Sequence, residues 1–396
     1  MPSGPDVVRC TGRRGAVALA GLVVVLLAAA CGGGAPAAKG TGTGNGGNGN
    51  GSNGSTWSRQ TLPRGTNALN GVSCPAGGHC WVVGTSSSGG GAILATTDDG
   101  ATWGAEHVPA AAGVVGFDDV SCPTTDDCWA VGATSSNTGA VLATTDGGTS
   151  WSAQSVPHAV NLQNGTLATG LYALRGVSCP TTEDCWAVGA TSSNTGAVLA
   201  TTDGGTTWSA QVIPDGISLL NGVSCPTTDD CWAVGATSTN TGAVLATTDG
   251  GTTWNAQTLP SAIPQTLPSG LYALDSVSCP TPGDCWAVGA SSSNTAVVLS
   301  TTHASASWKA DDVPNGTSLL DGVSCRSGGD CRAAGADASK HETIIATAGA
   351  DGTWATQRVP GGVSLLYGVS CPARGDCFAV GTTASNIGVV LSTFRG

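Results

Sequence analysis

Fourteen of the sixteen cysteines fall into seven pairs that share one spacing, Cys-x5-Cys. The pairs are Cys74 with Cys80, Cys122 with Cys128, Cys179 with Cys185, Cys225 with Cys231, Cys279 with Cys285, Cys325 with Cys331, and Cys371 with Cys377. Successive pairs begin 48, 57, 46, 54, 46 and 46 residues apart, a period that suits a four-stranded propeller blade better than a helical repeat. The sequence therefore predicts an all-β protein, a seven-bladed β-propeller of four-stranded blades.

The segment from Leu220 to Gln257 shows the strands of one unit most clearly. An inner strand is predicted over Leu220–Cys225, a second over Cys231–Gly235, a third over Ala243–Thr247 and an outer strand over Thr253–Gln257. Each run is short, rich in β-forming residues and bounded by Gly, Pro, Asn or Asp, which form turns. Charged residues make up only 10% of the chain, so surface helices with paired charges are not expected.

The two ends of the repeat region predict how the ring closes. The seventh unit ends with its third strand, Val390–Phe394, and has no outer strand. The repeat region begins with residues 55–63, which match the outer-strand segment 253–260. The N-terminal strand is therefore expected to complete the last blade, which removes an open sheet edge. The propeller is assigned to residues 55–396.

Four turns between third and outer strands share the motif Thr-x-Asp-x-Gly-x-Thr/Ser-Trp, with the aspartates Asp98, Asp146, Asp203 and Asp249. The motif resembles the Asp-box of bacterial neuraminidase repeats, or BNR. Residues 55–396 as a whole are similar to propellers of the sialidase superfamily and of photosystem II assembly factors. In such a turn the aspartate can accept backbone N–H bonds while the tryptophan packs between blades, so a structural role is expected. Metal or ligand binding by these aspartates is the alternative.

The resemblance to sialidases implies an arginine cluster, a Tyr/Glu nucleophile pair and an acid/base aspartate. The propeller region has three tyrosines, few arginines and no Arg-Ile-Pro segment before the first Asp-box. Asp118 and Asp119 are neighbours in sequence, as are Asp311 and Asp312, so on a strand they point to opposite faces and do not form the facing carboxyl pair of a glycosidase. No catalytic residue, no metal site and no cofactor are predicted.

Two chemistries fit paired cysteines. Structural zinc sites usually have Cys-x2-4-Cys spacing and two converging pairs, whereas here each pair belongs to its own blade. A cross-strand pair that closes a five-residue turn fits disulfide geometry, and a secreted protein meets oxidising conditions. Seven disulfides, each within one blade, are therefore predicted, with zinc ligation as the alternative.

The first thirty residues have the features of a secretory signal peptide. Arg9, Arg13 and Arg14 precede an apolar run over residues 15–30, which is short for a membrane span. The junction that ends in Cys31 resembles a bacterial lipobox, although Ala28 stands where leucine is commonest. The resemblance implies lipidation of Cys31, and ordinary cleavage is the alternative. Residues 31–54 are mostly Gly, Asn, Ala, Thr and Ser and are expected to form a flexible tether.

The formal charge of −12 argues against nucleic acid and anionic lipid headgroups as partners. Contact with a membrane is therefore expected through the lipid anchor alone. These features predict a monomer on the extracytoplasmic side of a bacterial cell envelope.

One position varies while the residues around it repeat, namely the residue predicted to start each inner strand. It is Asn70, Asp118, Arg175, Asn221, Asp275, Asp321 and Tyr367 in the seven units. Equivalent positions of seven blades surround the propeller axis, and we name these seven residues the axial ring. They are predicted to face away from the cysteine and Asp-box turns, at the mouth of the channel. The mixture of acids, amides, one arginine and one tyrosine predicts a polar ligand or cation site, and a solvated rim without a ligand is the alternative.

Two weaker candidates are predicted on the same face. The pairs Leu171–Tyr172 and Leu271–Tyr272 follow long connections and could wall a groove. In residues 337–342 of the sixth unit, charged side chains replace the usual Ser/Asn turn, and a tolerated charged loop is the favoured interpretation there.

These observations favour a non-enzymatic binding or scaffold propeller at the cell surface, with an unknown protein or glycan as its ligand. A sialidase-like glycoside hydrolase is one alternative. An assembly factor for an envelope complex is another, and it follows from the assembly-factor resemblance alone.

The mature protein is expected to start at a lipid-modified Cys31, because an apolar run ends there in a small-residue junction before a glycine-rich segment. Mass spectrometry of the N-terminal peptide from native membranes checks this. The variant Cys31→Ala should leave the membrane fraction. An unmodified N-terminus, or a variant that stays with the membranes, contradicts the prediction.

Overall fold

The computed structural model describes residues 57–157, 159–161, 167–260, 270–301, 307–348, 352–372 and 376–393. The predicted signal peptide, Cys31 and the tether lie outside these residues. Over the described ranges, no helix combines the length and the hydropathy needed to cross a bilayer. One 3-10 turn, Ala110–Ala112, is the only helical element that they contain.

Seven antiparallel four-stranded sheets make up the described chain, which confirms the predicted seven-bladed propeller. The inner strands are Thr66–Ala76, Val114–Ser121, Leu171–Ser178, Ile217–Ser224, Leu271–Thr281, Thr317–Cys325 and Leu365–Ser370. The second strands are His79–Ser86, Cys128–Thr134, Cys185–Thr191, Cys231–Thr237, Asp284–Ser291, Asp330–Asp337 and Phe378–Thr382. The third strands are Gly91–Thr96, Gly139–Thr144, Gly196–Thr201, Gly242–Thr247, Ala296–Thr301, Glu342–Ala348 and Gly388–Ser392.

The outer strands have two residues each and are Gly104–Ala105, Ser152–Ala153, Ser209–Ala210, Asn255–Ala256, Lys309–Ala310, Ala355–Thr356 and Ser58–Arg59. A small hairpin of Ala159–Asn161 with Leu167–Thr169 stands outside the blades. Blades are numbered here by the order of their inner strands along the chain.

The N-terminal strand completes blade 7, as the sequence predicts. Ser58 lies opposite Ser392, and Arg59 lies opposite Leu391 of the third strand of that blade. The Gln60 side-chain amide donates a hydrogen bond of 2.7 Å to the Ser392 hydroxyl. The two ends of the repeat region are therefore held in one sheet.

Buried apolar residues of the described chain form seven clusters, and each cluster lies between two neighbouring blades. Between blades 3 and 4, for example, Trp186 and Val188 of one second strand pack against Leu220 and Val223 of the next inner strand. Five junctions also pair the tryptophan of a second strand with the outer-strand tryptophan of the following blade. These pairs are Trp81 with Trp151, Trp129 with Trp208, Trp186 with Trp254, Trp232 with Trp308, and Trp286 with Trp354.

A repeated hydrogen bond links the inner strands around the axis. In blades 1 to 6, the hydroxyl of the serine in the Val-Ser-Cys segment accepts the N–H of the cysteine in the following blade. This bond is 3.0–3.1 Å long at six successive junctions, from Ser73 with Cys122 N to Ser324 with Cys371 N. The repeated serine therefore has a structural role, since it connects blades.

All seven predicted cysteine pairs form disulfides, with Cα atoms 4.0–4.2 Å apart. The bonds join Cys74 to Cys80, Cys122 to Cys128, Cys179 to Cys185, Cys225 to Cys231, Cys279 to Cys285, Cys325 to Cys331, and Cys371 to Cys377. Each bond lies within one blade and its cysteines are buried. Zinc ligation by these thiols, the alternative, is therefore excluded. Seven disulfides indicate that the chain matures in an oxidising compartment.

The second cysteine of a pair is predicted to start the second strand, and this holds only in blades 2, 3 and 4. In blades 1 and 5 the strand begins one residue before Cys80 and before Cys285, because the hairpin pairing continues past the disulfide toward the turn. Blade 6 likewise begins one residue before Cys331.

In blade 7 the second strand, Phe378–Thr382, begins one residue after Cys377 and not before it. The N–H of Cys377 donates to the Thr393 hydroxyl over 2.8 Å, and its carbonyl oxygen accepts the N–H of Thr393. The backbone of Cys377 is therefore satisfied by the residue that follows the third strand. The predicted start is corrected by one residue at these four cysteines, and their disulfide partners are as predicted.

Each inner strand starts earlier than predicted and contains a β-bulge. In blade 4 the strand is Ile217–Ser224, and the pairing steps from Leu220 opposite Gly235 to Gly222 opposite Val234, so Asn221 is the extra residue. The same shift occurs at the equivalent place in all seven inner strands. The predicted strand start was wrong because a strict alternation of side chains does not allow for an extra residue.

The bulge explains a glycine that recurs in every second strand. A Cβ atom on Gly235 would overlap the carbonyl oxygen of Leu219 and crowd the Cα atom of Leu220. The six equivalent glycines meet the corresponding carbonyl oxygens in the same way. The inner strand can therefore bulge only where the second strand has no side chain.

Deletion of residues 55–63 is expected to lower the melting temperature and cause oligomerisation, because it removes Trp57 and the strand that covers the last edge. Deletion of residues 32–54 is the matched control and should leave the melting temperature unchanged. Equal stability of the two deletion variants, measured by thermal denaturation and size-exclusion chromatography, contradicts the closure of the ring by this strand.

Gly235→Ala is expected to destabilise the protein by about 1–3 kcal/mol, because the added methyl group overlaps backbone atoms in a packed sheet. Gly361→Ala is the control, since a Cβ atom at Gly361 meets nothing within 4 Å. Urea denaturation measures both variants. The explanation of the repeated bulge fails if the two variants are equally stable.

Candidate functional site

The axial ring occupies the seven bulge positions of the inner strands. Its members are the extra residues Asn70, Asp118, Arg175, Asn221, Asp275, Asp321 and Tyr367. In the described chain the ring therefore lies partway along the inner strands and not at their first residues, so the predicted position at the channel mouth is corrected. Asp118 is exposed and the other six residues are half-buried, whereas the leucine or phenylalanine before each of them is buried.

Arg175 in blade 3 interacts through its charge with two ring carboxyls, Asp118 in blade 2 and Asp275 in blade 5. Although Asp118 is exposed as a whole residue, protein atoms around its carboxyl group partly desolvate it and raise its pKa to about 6, and the nearby Arg175 guanidinium acts in the opposite direction. Burial also raises the pKa of Asp275 to about 6, and the same Arg175 moderates that increase. Arg175 therefore serves as a shared countercharge for a carboxyl in blade 2 and another in blade 5.

The two asparagines of the ring connect their blade to the next one. Asn70 donates from Nδ2 to the carbonyl oxygen of Phe117 over 2.8 Å. Asn221 donates from Nδ2 to the carbonyl oxygen of Leu274 over 3.0 Å and to Asp275 Oδ1 over 3.2 Å. These bonds fix the side-chain amide of Asn221, so its Oδ1 atom has a defined direction.

Asp321 and Asn221 each carry a buried acceptor that receives no hydrogen bond. Among the described residues, neither Asp321 Oδ2 nor Asn221 Oδ1 has a partner. A buried acceptor without a donor typically costs about 1–3 kcal/mol. Burial and the neighbouring Asp275 raise the pKa of Asp321 well above its usual range, and burial and Asp321 raise the pKa of the Tyr367 hydroxyl. The side of the ring formed by blades 4 to 6 therefore carries two buried acceptors that lack donors.

Asp119 and Ser276 follow ring residues and were not identified from the sequence. Asp119 Oδ2 accepts the N–H of Val177 in the next blade over 3.0 Å, and Oδ1 accepts the N–H of Val120 over 2.9 Å. Ser276 Oγ accepts the N–H of Val323 over 3.4 Å in the same way. The other five units have glycine at this position, so aligning the repeats would have revealed both departures.

Asp119 lies next to the bulge residue Asp118 and is held by two backbone N–H groups. Burial raises the pKa of Asp119 to about 7, the N–H groups of Val177 and Val120 oppose this shift, and Asp118 adds to it. Asp311, in the second adjacent pair, is buried and accepts bonds from the Ser300 hydroxyl over 2.7 Å and from Trp354 Nε1 over 3.3 Å. Both Asp119 and Asp311 therefore connect structural elements.

The four Asp-box aspartates are used within their own turns. In the turn of blade 4, Asp249 Oδ1 accepts from the Thr247 hydroxyl and the Thr253 N–H, and Oδ2 accepts from the Thr253 hydroxyl over 2.6 Å. Asp98, Asp146 and Asp203 make the same three bonds. These bonds lower the pKa of all four carboxyls. The structural interpretation of the Asp-box therefore agrees with the geometry.

The two weaker candidates have structural roles. Leu171 is buried in the cluster between blades 2 and 3, and Leu271 packs against the cluster between blades 4 and 5, so neither leucine walls an open groove. In the sixth unit, Asp337 Oδ1 accepts the N–H of Ser339 and of His341, and Lys340 takes the left-handed conformation that asparagine takes in five other units. The charged segment is thus an ordinary turn.

Within the described ranges, no three His, Cys, Asp or Glu side chains are arranged to hold a metal ion. The axial ring offers carboxyl and amide oxygens together with one guanidinium, that of Arg175. This arrangement suits hydrogen bonding and charge recognition of an organic ligand.

Acidification from pH 7.5 to pH 5 is expected to raise the melting temperature. The folded-state pKa values of Asp118, Asp119 and Asp275 exceed the unfolded value, so protonation favours the folded state and stability falls as pH rises through 6–7. The Asp-box carboxyls have lowered pKa values, so their contribution is lost only below about pH 4.

The variant Asp118→Asn combined with Asp275→Asn should reduce this pH dependence, because it removes two of the three groups that titrate there. Asp126→Asn alters an exposed carboxyl outside the ring, is not expected to change the pH dependence and serves as the control. Thermal melts from pH 4 to pH 8 measure all three proteins. A melting temperature that rises between pH 5 and pH 7.5 contradicts the assignment.

The sequence and the fold of this chain are similar to those of known proteins. Residues 50–217 match the family model described as photosynthesis system II assembly factor YCF48. No curated protein sequence matches the chain. Among solved structures, YCF48 from Cyanidioschyzon merolae is 17% identical with a TM-score of 0.57, and the match covers 85% of this chain and 98% of that one.

Two further structures have the same fold. YCF48 bound to D1 peptide is 17% identical with a TM-score of 0.58, covering 86% of this chain and 96% of that one. The GH74 enzyme of Niastella koreensis is 14% identical with a TM-score of 0.60, covering 85% of this chain and 53% of that one. The structural matches show the fold alone, while the family model agrees with the repeats and the Asp-box motifs of this sequence. The chain is thus a BNR-repeat β-propeller similar to the photosystem II assembly factor YCF48.

Proposed function

We propose that this chain is a non-enzymatic binding propeller that holds a polypeptide segment at its axial ring. The observation that carries the proposal is the contrast between the ring and the rest of each blade. The cysteines and the glycine opposite the bulge recur in every unit, whereas the ring differs from blade to blade at the extra residue of the bulge. An asymmetric ligand needs such asymmetric chemistry.

A polypeptide is favoured over a glycan by the family context. A YCF48 structure contains a bound D1 peptide, so a propeller of this type can hold a peptide. In the present chain, the carboxyls, amides and guanidinium of the ring are groups that hydrogen-bond to peptide backbone and polar side chains. A glycan ligand remains an outcome that the experiment below can reveal.

The same proposal places the protein outside the cytoplasm, anchored to a bacterial membrane by a lipid on Cys31. The seven disulfides support an oxidising compartment. The signal-like N-terminus supports export, and the acidic net charge is consistent with contact to the membrane through the anchor alone. In that location the protein would act as a scaffold or assembly factor for an envelope complex.

A glycoside hydrolase is the second candidate, because Asp275 and Asp321 are carboxyls with raised pKa values in adjacent blades. Such a pair can provide a general acid. Hydrolysis of chromogenic glycosides that is abolished by Asp275→Asn and by Asp321→Asn would favour this candidate. Unchanged substrate with the purified protein favours the binding function.

Ring variants and Asp-box variants are expected to have opposite effects. Once a ligand has been identified by cross-linking and co-purification from native envelope, Arg175→Ala and Asp321→Ala should weaken binding by about tenfold or more, because each removes a charged hydrogen-bonding group. Their melting temperatures should change little. Asp203→Ala and Asp249→Ala should lower the melting temperature while the folded protein still binds.

Binding titrations and thermal melts of the four variants decide between the two faces of the propeller. Asp-box variants that lose the ligand while remaining folded would show that the binding site is on the other face. Ring variants that bind as tightly as the unaltered protein would remove the axial ring from the proposal.

A further inference from the structure

Three consecutive blades present oxygen acceptors toward one part of the axial ring. Asn221 in blade 4, Asp275 in blade 5 and Asp321 in blade 6 occupy equivalent bulge positions. The Asn221 amide nitrogen is already engaged with Asp275 Oδ1 and the Leu274 carbonyl oxygen. The side-chain oxygen atoms of these three residues can still accept hydrogen bonds. We name Asn221, Asp275 and Asp321 the acceptor arc.

Two atoms of the acceptor arc are buried without a donor. Within the described part of the chain, Asn221 Oδ1 and Asp321 Oδ2 receive no hydrogen bond. Buried polar atoms in proteins nearly always have a partner, so two orphaned acceptors that flank one carboxyl require an explanation. A bound group with several N–H donors would satisfy both of them.

Charge points to the same conclusion. The positive charge of Arg175 stabilises the ionised carboxyls of Asp118 and Asp275. Asp321 instead has another carboxyl, Asp275, as its principal charged neighbour. The ring holds three carboxyls and one guanidinium. The acceptor arc therefore lacks one positive charge, and the deficit is at Asp321.

Solvent reaches this part of the propeller. Asp321 and Asp275 are half-buried as residues, and Asp118 in the same ring is exposed. Rotation of a carboxyl about its terminal torsion is soft, so Asp321 can present its enclosed oxygen to a group that enters along the axis. A metal ion is a poorer fit than an organic cation, because the described residues contain no arrangement of three metal-ligating His, Cys, Asp or Glu side chains.

We infer that the acceptor arc binds a protonated primary amine, such as a lysine side chain of a polypeptide ligand, between Asn221, Asp275 and Asp321. An ammonium group has three donors and one positive charge, which match the three acceptor side chains and the missing charge. A guanidinium is planar with a fixed fork of donors and fits three acceptors on separate blades less well. The inference rests on the proposed function in one respect, namely that the amine belongs to a polypeptide. Binding of the amine itself can be measured separately.

The test uses two small probes with the full chain. Nα-acetyl-lysine methylamide carries the ammonium group, and Nα-acetyl-norleucine methylamide has a similar shape without the charge. Titrations followed by NMR or calorimetry should show binding of the lysine probe and at least about tenfold weaker binding of the norleucine probe. Affinity for the lysine probe should increase as the pH rises from 5 to 7.5, because ionised carboxyls bind the cation.

Asp321→Asn preserves shape and should weaken binding of the lysine probe by at least about tenfold, because a charged hydrogen bond is lost. Asp275→Asn serves the same purpose if Asp321→Asn does not fold. Asp126→Asn removes an exposed carboxyl from the disulfide-turn face and is the control, with unchanged affinity expected. Equal binding of the two probes, no binding of the lysine probe, or unchanged affinity in the folded ring variants overturns the inference.

The two proposals fail in distinguishable ways. If a polypeptide from the envelope binds at the ring while the lysine probe does not, amine recognition is wrong and the binding function stands. If the lysine probe binds as expected but no polypeptide is captured, the acceptor arc recognises an amine and the larger ligand is of another class.

Discussion

Apolar packing between neighbouring blades is the interaction on which the rest of this structure depends. Every buried apolar cluster of the described residues joins two blades, and the seven clusters form a closed cycle. The cluster between blades 6 and 7 includes Trp57, which the N-terminal strand supplies. A blade at an open end would expose one side of such a cluster, so the ring gains its full stability only when the first strand has joined the last sheet.

The same packing explains which residues can vary. In blades 1 to 5, the Cys, Trp, Val and Gly of the second strand face a neighbouring blade or a bulged backbone, and changes at these positions disturb two blades at once. Even so, the sixth blade has Arg332 in place of the tryptophan, and its guanidinium is held by Asp330 and by the carbonyl oxygen of Cys331. The bulge residue is the extra residue of its strand and has no partner in the strand pairing, so side chains of different chemistry occupy this position. The fold itself therefore creates seven adjustable positions around one axis.

Repeated residues at fixed spacing made the number of blades, the closure and the disulfides predictable from the sequence. The pairs from Cys74 with Cys80 to Cys371 with Cys377 count the blades directly, and residues 55–63 match an outer strand that the seventh unit lacks. The bulge was not predictable from alternation, because an extra residue leaves no mark in the pattern except the glycine opposite it. The members of the axial ring were identified from the sequence, but their depth along the strand was not. The charge interaction of Arg175 with Asp118 and Asp275 could not be predicted either, because it depends on which blades bring their side chains near one another at the axis.

Aspartate has two opposite physical roles in this propeller, and its surroundings decide between them. In an Asp-box, Asp249 is exposed and receives three hydrogen bonds from its own turn, so its charge is satisfied locally and its pKa is lowered. At the axis, Asp321 is enclosed by protein, faces another carboxyl and leaves one oxygen without a donor, so its pKa is raised. A charge that is satisfied within its own turn stabilises the fold and offers little to a ligand. A carboxylate that receives too few hydrogen bonds from the fold can accept them from a ligand. The Asp-box turns therefore have a structural role, whereas the carboxyls at the axis are available for binding.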